Sequence, residues 1–294
     1  MSSRNAASAD ARTIVLVGAT SGIGRQAAVQ LASRGHRLIL VGRNAGRGQA
    51  LLAALGGAST AAPPVFVAGD VSTRSGVEQV ARAVRAKTGA VDTLINNAGV
   101  MVSPRRVTDE GMELNFAVHH LAPYSMTGLL LPLLDRGDGR IVNTNSEGHR
   151  AAVFGGSADL DFEDLQSARR YDTFGAYSRT KLANLLFTYE FQRRHPRYSM
   201  VAVHPGMVRT RLVRSVYNPA IRLLTATTRW FLLPPSQGAK PLVQLATAAT
   251  VQPGRYYDRF TPVSSSPASL DRHTARRLWA ETERLRGPFA ELAR

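Results

Sequence analysis

The chain of 294 residues is long enough to bury a sizeable core without disulfide bonds or metal ions. It contains no cysteine, which excludes disulfides, thiol catalysis and cysteine-ligated zinc. The formal net charge is +16, but the basic residues are scattered and no block of five or six like charges occurs, so we expect no nucleic-acid partner.

Targeting signals are not evident in the sequence. No run of about 18 apolar residues occurs, and the first ten residues lack the apolar segment of a signal peptide. We therefore expect a cytoplasmic protein, with residues 1–11 as a flexible N-terminus.

Short apolar segments alternate with helical patterns along the chain. Segments rich in β-branched residues predict buried parallel strands at 13–17, 37–41, 64–68, 91–96, 140–144 and 199–204. A periodicity of 3.6 residues predicts helices at 23–34, 74–88, 112–134 and 176–194. Such alternation is typical of right-handed βαβ crossovers, so we predict an α/β fold with a doubly wound sheet and a single domain over residues 1–294.

Two long segments, 147–176 and 207–235, interrupt this alternation. Long excursions at the carboxyl ends of strands usually shape a ligand site, and the aromatic residues in both predict a bulky, largely apolar alcohol, ketone or aldehyde. The same aromatic residues could instead pack the loops onto the body. Residues 220–235 could form a lid or rest on a membrane surface, and we do not expect membrane association. Residues 264–294 are predicted to form a tail with a helix.

A glycine-rich turn joins the first strand to the first helix. Gly18, Gly22 and Gly24 would let backbone amides approach a pyrophosphate at the helix N-terminus. The spacing G-x-x-x-G-x-G differs from the usual dinucleotide fingerprint G-x-G-x-x-G. Taken alone, this turn is explained equally well as a purely structural one.

The second strand ends in Gly42, Arg43 and Asn44, with no carboxylate. An acidic side chain at this point of a βαβ unit binds the ribose 2′-hydroxyl of NAD, whereas an arginine accommodates the 2′-phosphate of NADP. We therefore predict NADP(H) in preference to NAD(H).

Tyr177 and Lys181 lie one turn apart on the same face of a predicted helix, so the phenol and the ammonium can meet. Taken alone, such a pair is more typical of a core helix whose amphipathic side chains reach solvent. The neighbouring motifs change that interpretation.

Six motifs occur together in one order along the chain. They are "GATSGIG" (18–24), "NNAG" (96–99), Asn115 in "ELNFAVHHL", Ser146 in "RIVNTNSEGH", "YSRTK" (177–181) and "HPGMVRT" (204–210). With them the chain resembles the short-chain dehydrogenases/reductases from about residue 12 to at least residue 210. Within that family it is most similar to the retinol-dehydrogenase-like branch and its bacterial relatives, on the segments "TDEGMELNFAVHHLAPY", "KLANLLFTYEF" and "SSSPASLDRHTARRLWAETERL".

The resemblance implies a Rossmann-like fold, with a doubly wound parallel sheet in three α/β/α layers, and a nicotinamide cofactor. Carried over, the residues that bind the adenosine and phosphate end are Gly18, Ser21, Gly22, Ile23, Gly24, Arg43 and Asn44, with Asp70 and Val71 beside the adenine. Those along the central channel are Asn97, Ala98 and Gly99. Those on the nicotinamide side are Pro205, Gly206, Val208 and Thr210, and Tyr177 and Lys181 also touch the cofactor.

The resemblance also assigns the chemistry. Tyr177 is the general acid in reduction or the base in oxidation, and we expect Lys181 and the oxidised nicotinamide to lower its pKa. Ser146 donates a hydrogen bond to the carbonyl oxygen, and Asn115 positions a water that passes protons outward. The chain departs from the family at Val17, which is usually threonine, and at Asn145, which is usually serine.

Other side chains are assigned more loosely. His149, Phe154, Met207 and Tyr217 are predicted to line the substrate pocket, His149 because it follows Ser146 closely. The histidine pair 119–120 has no third ligand at suitable spacing, so we expect no metal site.

The predicted function is an NADP(H)-dependent oxidoreductase that interconverts a carbonyl and an alcohol on a small-molecule substrate that is bulky and largely apolar. A retinoid-like aldehyde and a polyketide-type ketone would each fit. Two alternatives are an NADP-binding redox-sensing regulator and an epimerase or dehydratase of the extended branch. The resemblance leaves a homo-oligomer open.

Overall fold

A computed structural model describes residues 11–57, 60, 62–150, 159–209 and 232–294. In this part of the chain eight strands form one sheet. They are β1 (Thr13–Val17), β2 (Arg37–Gly42), β3 (Val65–Ala68), β4 (Thr93–Asn96), β5 (Arg140–Thr144), β6 (Ser199–His204), β7 (Tyr256–Asp258) and β8 (Thr261–Val263). The six predicted strands correspond to β1 to β6. Strands β7 and β8 have three residues each, too few for a periodic pattern to reveal.

The strand order is β3-β2-β1-β4-β5-β6-β7-β8. Neighbours pair in parallel from β3 to β7, and β8 is antiparallel to β7. Because β1 pairs with both β2 and β4, the direction of winding reverses beside β1. Open α/β sheets bind ligands at such a point, outside the carboxyl ends of the strands.

Helices cover both faces of this sheet. They are α1 (Gly22–Ala32), α2 (Ala45–Leu55), α3 (Arg74–Arg85), α4 (Leu114–Phe116), α5 (Ala122–Leu134), α6 (Thr173–Arg194), α7 (Pro235–Thr247), α8 (Pro267–Leu270), α9 (Arg272–Arg286) and α10 (Phe289–Leu292). Ile14 and Leu16 of β1 pack with α1, α2 and α7, whereas Val15 and Val17 pack with α3, α5 and α6. The predicted three-layer α/β/α fold is confirmed. Within the described residues, none of the helices combines the length and the apolar character needed to cross a bilayer.

The helix predicted at 112–134 is instead three consecutive pieces, with a π-helical turn at Ala117–Leu121 between α4 and α5. Pro123 has no backbone N–H, so it cannot donate the helical hydrogen bond to the carbonyl of His119, four residues earlier. Asn184 of α6 donates its side-chain N–H to that carbonyl at 2.9 Å. The interruption therefore joins this helix to α6, which carries Tyr177, and π-turns occur frequently at functional sites.

Helix α6 begins at Thr173, three residues before the predicted start. The Asp172 side chain accepts a hydrogen bond from the N–H of Gly175 at 2.6 Å and caps the first turn. Tyr177 therefore lies in the second turn of α6, where its side chain can be fully packed.

Candidate functional site

The loops that follow β1 and β4 approach each other at the carboxyl edge of the sheet. Gly18 has φ of +85°, and a Cβ atom there would lie 2.7 Å from the backbone N and Cα of Ala98. A Cβ at Gly24 would overlap the carbonyl oxygen of Gly18. Asn97 donates its side-chain N–H to the same carbonyl at 3.1 Å. Two of the glycines are thus required by close backbone packing.

The N-terminus of α1 presents donors at this edge. Ser21 is the N-cap residue, yet its side chain accepts no hydrogen bond from the helix, and Gly22 adopts φ of +52°. The first backbone N–H groups of a helix have no partner within the helix, and their partial positive charge favours an anion. Ile23 lies in this first turn. The turn 18–24 therefore suits a pyrophosphate.

Gly18→Ala should disrupt this turn, because the new methyl group meets the backbone of Ala98 and the left-handed φ is unfavourable for alanine. We expect the Kd for NADPH, measured by fluorescence titration, to rise at least about tenfold, which corresponds to about 1.4 kcal/mol. Gly89→Ala is the matched control, since a Cβ at Gly89 meets nothing within 4 Å. An unchanged Kd in Gly18→Ala would contradict the placement of the pyrophosphate.

Arg43 follows β2 directly and lies near Asp70, which follows β3. The guanidinium and the carboxylate are 3.7 Å apart, and both side chains are about half exposed, at 58% and 46%. Such an exposed pair contributes little free energy, so Arg43 remains available to an anion. Asn44 caps α2 by accepting from the N–H of Arg47 at 2.8 Å, and Val71 is buried.

The segment that is predicted to lie on the nicotinamide side of the cofactor follows β6. Gly206 has φ of +90°, and Val208 forms a parallel bridge with Leu233. Pro205 is buried, whereas Met207 is 69% exposed. Thr210 and the predicted substrate residues Phe154 and Tyr217 lie outside the described residues.

Ser146, Tyr177 and Lys181 meet at the carboxyl edge beside β5. The Ser146 side chain hydrogen-bonds the Tyr177 phenol. The ammonium nitrogen of Lys181 lies 5.6 Å from the centre of the Tyr177 ring and donates to the carbonyl of Thr144 at 3.0 Å. Tyr177 and Lys181 are each 5% exposed, so the pair belongs to the interior and is not a solvent-facing one.

Burial sets the ionisation of this pair. It raises the pKa of Tyr177 to about 12, an effect opposed by the hydrogen bond from Ser146. It lowers the pKa of Lys181 to about 7. The lowering of the Tyr177 pKa by Lys181 together with the oxidised nicotinamide stays a prediction.

Asn115 is buried at the start of the interrupted helix. Its side-chain N–H groups donate to Glu113 at 2.7 Å and to the Tyr171 hydroxyl at 3.1 Å. Its side-chain oxygen finds no donor among the described residues. A buried acceptor without a partner is costly, and a water molecule would satisfy it.

Asn145, where the family usually has serine, holds two of the predicted catalytic residues, Ser146 and Lys181, by their backbones. Its side-chain oxygen accepts from the N–H of Ser146 at 2.7 Å. Its N–H group donates to the carbonyl of Lys181 at 3.0 Å and to the side chain of Asn184 at 2.8 Å. Sequence reasoning noted the departure at Asn145 but missed this role, because Lys181 and Asn184 are 36 and 39 residues away.

His119 connects the loop after β4 to helix α6. Its Nε2 accepts from the N–H of Val100 at 3.0 Å, so the proton is on Nδ1, which donates to Thr180 at 2.9 Å. The Thr180 hydroxyl donates to the carbonyl of Tyr177 at 2.8 Å. Burial, and then the charge of Lys181, lower the pKa of His119. His119 is therefore a neutral hydrogen-bonding group.

The described residues contain no group of three or more histidine or acidic side chains placed to hold a metal ion. His120 contacts the Thr282 hydroxyl at 2.7 Å and stacks on Phe116 at 5.1 Å between ring centres. It is therefore part of the packing between the interrupted helix and α9.

His149 packs into the interior of the protein. It is fully buried, its Nδ1 lies 2.8 Å from the carbonyl of Ser146, and its Nε2 accepts from the N–H of Ser266 at 3.1 Å. Both ring nitrogens are occupied by the protein. Sequence analysis predicted His149 to line the substrate pocket, but its buried ring is bonded to Ser146 and Ser266 of the protein itself.

Comparison with known proteins places this site in a family. The model of the short chain dehydrogenase family matches residues 12–158. The chain is 34% identical to human "Retinol dehydrogenase 13", over 94% of this chain and 85% of that protein. It is 34% identical to the "Putative daunorubicin C-13 ketoreductase DnrU" of Streptomyces sp. (strain C5), over 91% and 90%.

Among solved structures, an uncharacterized protein from Mycobacterium paratuberculosis superposes with a TM-score of 0.73 and 30% identity, covering 94% of this chain and 93% of that one. The fold, the arrangement of Ser146, Tyr177 and Lys181 at the sheet edge, and these similarities all point to the same family. The chain belongs to the short-chain dehydrogenase/reductase family of oxidoreductases, in its retinol-dehydrogenase-like branch.

Proposed function

We propose that the protein is an NADP(H)-dependent oxidoreductase that reduces the carbonyl group of a bulky, largely apolar small molecule, or oxidises the corresponding alcohol. One observation carries this proposal. The hydroxyls of Ser146 and Tyr177 and the amine of Lys181 converge at the sheet edge that also carries the glycine turn 18–24.

The bound nicotinamide supplies or accepts the hydride. Tyr177 gives its proton to the substrate oxygen in reduction, and Ser146 donates a hydrogen bond to the same oxygen as negative charge develops there. Lys181, held against the carbonyl of Thr144, lies one helical turn from Tyr177. Its charge, when present, favours the phenolate that remains after the proton leaves. Asn115, with its free buried acceptor, would hold the water through which Tyr177 regains a proton.

Burial of Tyr177 determines how each direction of the reaction should depend on pH. A Tyr177 pKa of about 12 keeps the phenol protonated at neutral pH, so it is ready to act as an acid. Oxidation requires the ionised form, which becomes more populated as pH rises. We therefore propose that kcat for reduction is highest at neutral pH and that kcat for oxidation rises as the pH becomes alkaline.

The preference for NADP(H) is proposed from Arg43. Its exposed guanidinium follows β2, where the adenosine ribose lies in this fold, and its only ion-pair partner among the described residues is Asp70 at 3.7 Å. Since that pair is weak, a 2′-phosphate would bind Arg43 with a stronger, charge-assisted hydrogen bond.

Arg43→Asp should reverse the preference between cofactors. We expect kcat/KM for NADPH to fall at least about tenfold, because a carboxylate would face the 2′-phosphate, while the value for NADH is kept or rises. The measurement is the ratio of the two kcat/KM values. Arg34→Asp is the matched control. Arg34 is exposed just after the end of α1, so its replacement should leave the ratio unchanged. An unaltered ratio in Arg43→Asp would refute the assignment.

The substrate class is proposed from two of the relatives, a retinol dehydrogenase and a putative daunorubicin ketoreductase, and from the exposed side chain of Met207. The test follows NADPH absorbance with a panel of bulky ketones and aldehydes that includes retinaldehyde and daunorubicin. Net consumption of NADPH would support an oxidoreductase. Conversion without net consumption would indicate an epimerase or dehydratase, and binding of NADPH with no conversion would indicate a redox-sensing regulator.

A further inference from the structure

The turn that follows Ser146 is attached to the C-terminal part of the chain. The 3-10 turn Glu147–Arg150 receives a hydrogen bond from the Tyr256 hydroxyl to Glu147 at 2.6 Å. Arg150 donates to the carbonyl of Ser264 at 2.5 Å. The N–H of Ser266 donates to Nε2 of His149 at 3.1 Å. Residues 256–266 therefore hold this turn at three of its four residues.

His149 connects the C-terminal segment to Ser146 through the two nitrogens of its ring. A backbone N–H can only donate, so Nε2 of His149 must be the unprotonated nitrogen and Nδ1 carries the proton. Nδ1–H therefore donates to the carbonyl of Ser146 at 2.8 Å. The ring is fully buried and packs edge-to-face on Tyr256, with 4.9 Å between ring centres. Its orientation is thus fixed by two hydrogen bonds and one aromatic contact.

The C-terminal segment also contacts α6, the helix that carries Tyr177. The Tyr189 hydroxyl of α6 donates to the side chain of Ser265 at 2.7 Å, and Ser269 contacts the same side chain at 2.7 Å. Ser265 is adjacent to Ser266. The path from Ser146 through His149 and the C-terminal segment therefore ends on α6, independently of the path through Asn145.

We propose that His149 is a positioning residue, which uses the C-terminal segment 264–266 to hold the Ser146 hydroxyl against Tyr177. Ser146 is then held on both sides, since Asn145 accepts from its N–H and His149 donates to its carbonyl. The inference rests on the proposed function. It also makes residues 264–266, more than 80 positions after Lys181 in the sequence, part of the working site.

Two substitutions separate the two hydrogen bonds of His149. The amide N–H of asparagine can replace Nδ1–H, so His149→Asn keeps the bond to Ser146 and loses the one from Ser266. The amide oxygen of glutamine can replace Nε2, so His149→Gln keeps the bond from Ser266 and loses the one to Ser146. His149→Ala loses both. His273→Asn, at an exposed position on α9, is the matched control.

We expect kcat to stay within about threefold of wild type in His149→Asn and to fall about 10- to 100-fold in His149→Gln and His149→Ala, since small misplacements of a catalytic group have effects of this size. The Kd for NADPH should change by less than about twofold in all of them, because the turn 18–24 is untouched. The assay uses whichever of retinaldehyde and daunorubicin the wild type reduces, with Tm measured in parallel.

Full kcat in His149→Gln would overturn the inference. So would equal losses of kcat in the Asn, Gln and Ala variants that follow their losses in Tm, since that pattern indicates only a folding role. A wild-type protein that is inactive with the whole carbonyl panel overturns the proposed function and this inference with it. An active wild type with full activity in His149→Gln overturns the inference alone.

Discussion

Tyr177→Phe should lower kcat about 10²- to 10⁴-fold, the usual contribution of a positioned general acid, while NADPH still binds. Only the hydroxyl is removed. The ring keeps its packing against Met101 and Phe174 and its edge contact with His119 at 5.4 Å between ring centres. The glycine turn 18–24 is unaffected, so the Kd for NADPH should stay within about twofold of wild type. Stopped-flow measurement of NADPH oxidation would give the rate of the hydride-transfer step.

Tyr198→Phe is the matched control. Tyr198 is also buried, but it packs beside Phe191 and contacts Arg197 and Asp135, before β6 begins. Removing its hydroxyl should leave kcat unchanged. Wild-type kcat in Tyr177→Phe would refute the assignment of the acid, and loss of NADPH binding in that variant would show that the effect is on the cofactor site.

The fold was predictable because its signal is local and repeated. Each of the six apolar segments from 13–17 to 199–204 is rich in residues that suit a strand buried on both faces. The edge strands β7 and β8 were not predictable, since three residues carry no period. The start of α6 was missed because the N-cap residue Asp172 has to be recognised against a long preceding loop.

Within the candidate site, the residues assigned to the reaction and to the cofactor form short motifs that the sequence alone reveals. The residues that hold them depend on contacts distant in sequence. Asn145 reaches Asn184 across 39 positions, and His149 reaches Ser266 across 117. No pattern within a motif encodes such pairs. The depth at which Tyr177 is buried, which raises its pKa, is likewise not evident from its spacing to Lys181.

Burial of Lys181 has a cost in stability that a second variant would expose. Its pKa falls from 10.5 to about 7 on folding, and each pH unit corresponds to about 1.36 kcal/mol, so the folded state disfavours the charged amine by several kcal/mol. The hydrogen bond from Lys181 to the carbonyl of Thr144 offsets about 1 to 3 kcal/mol of this unfavourable free energy. The desolvation term is the larger, so an uncharged side chain of similar length should stabilise the protein.

Lys181→Met should therefore raise Tm by about 3 to 10 °C at pH 6 and lower kcat at least about 100-fold. The unfolded chain binds more protons than the folded one between about pH 7 and 10.5, so wild-type stability rises with pH across that window. The difference in Tm between variant and wild type should be largest below pH 7 and shrink toward pH 10.

Lys87→Met, at an exposed position, should change neither Tm nor kcat. A Lys181→Met protein that is less stable than wild type at pH 6 would show that the amine gains more from its contacts than it loses by burial. The expected opposite outcome, higher stability with lost turnover, would mean that the buried amine is retained for the chemistry of Tyr177 at the expense of stability, as strained or desolvated groups at active sites commonly are.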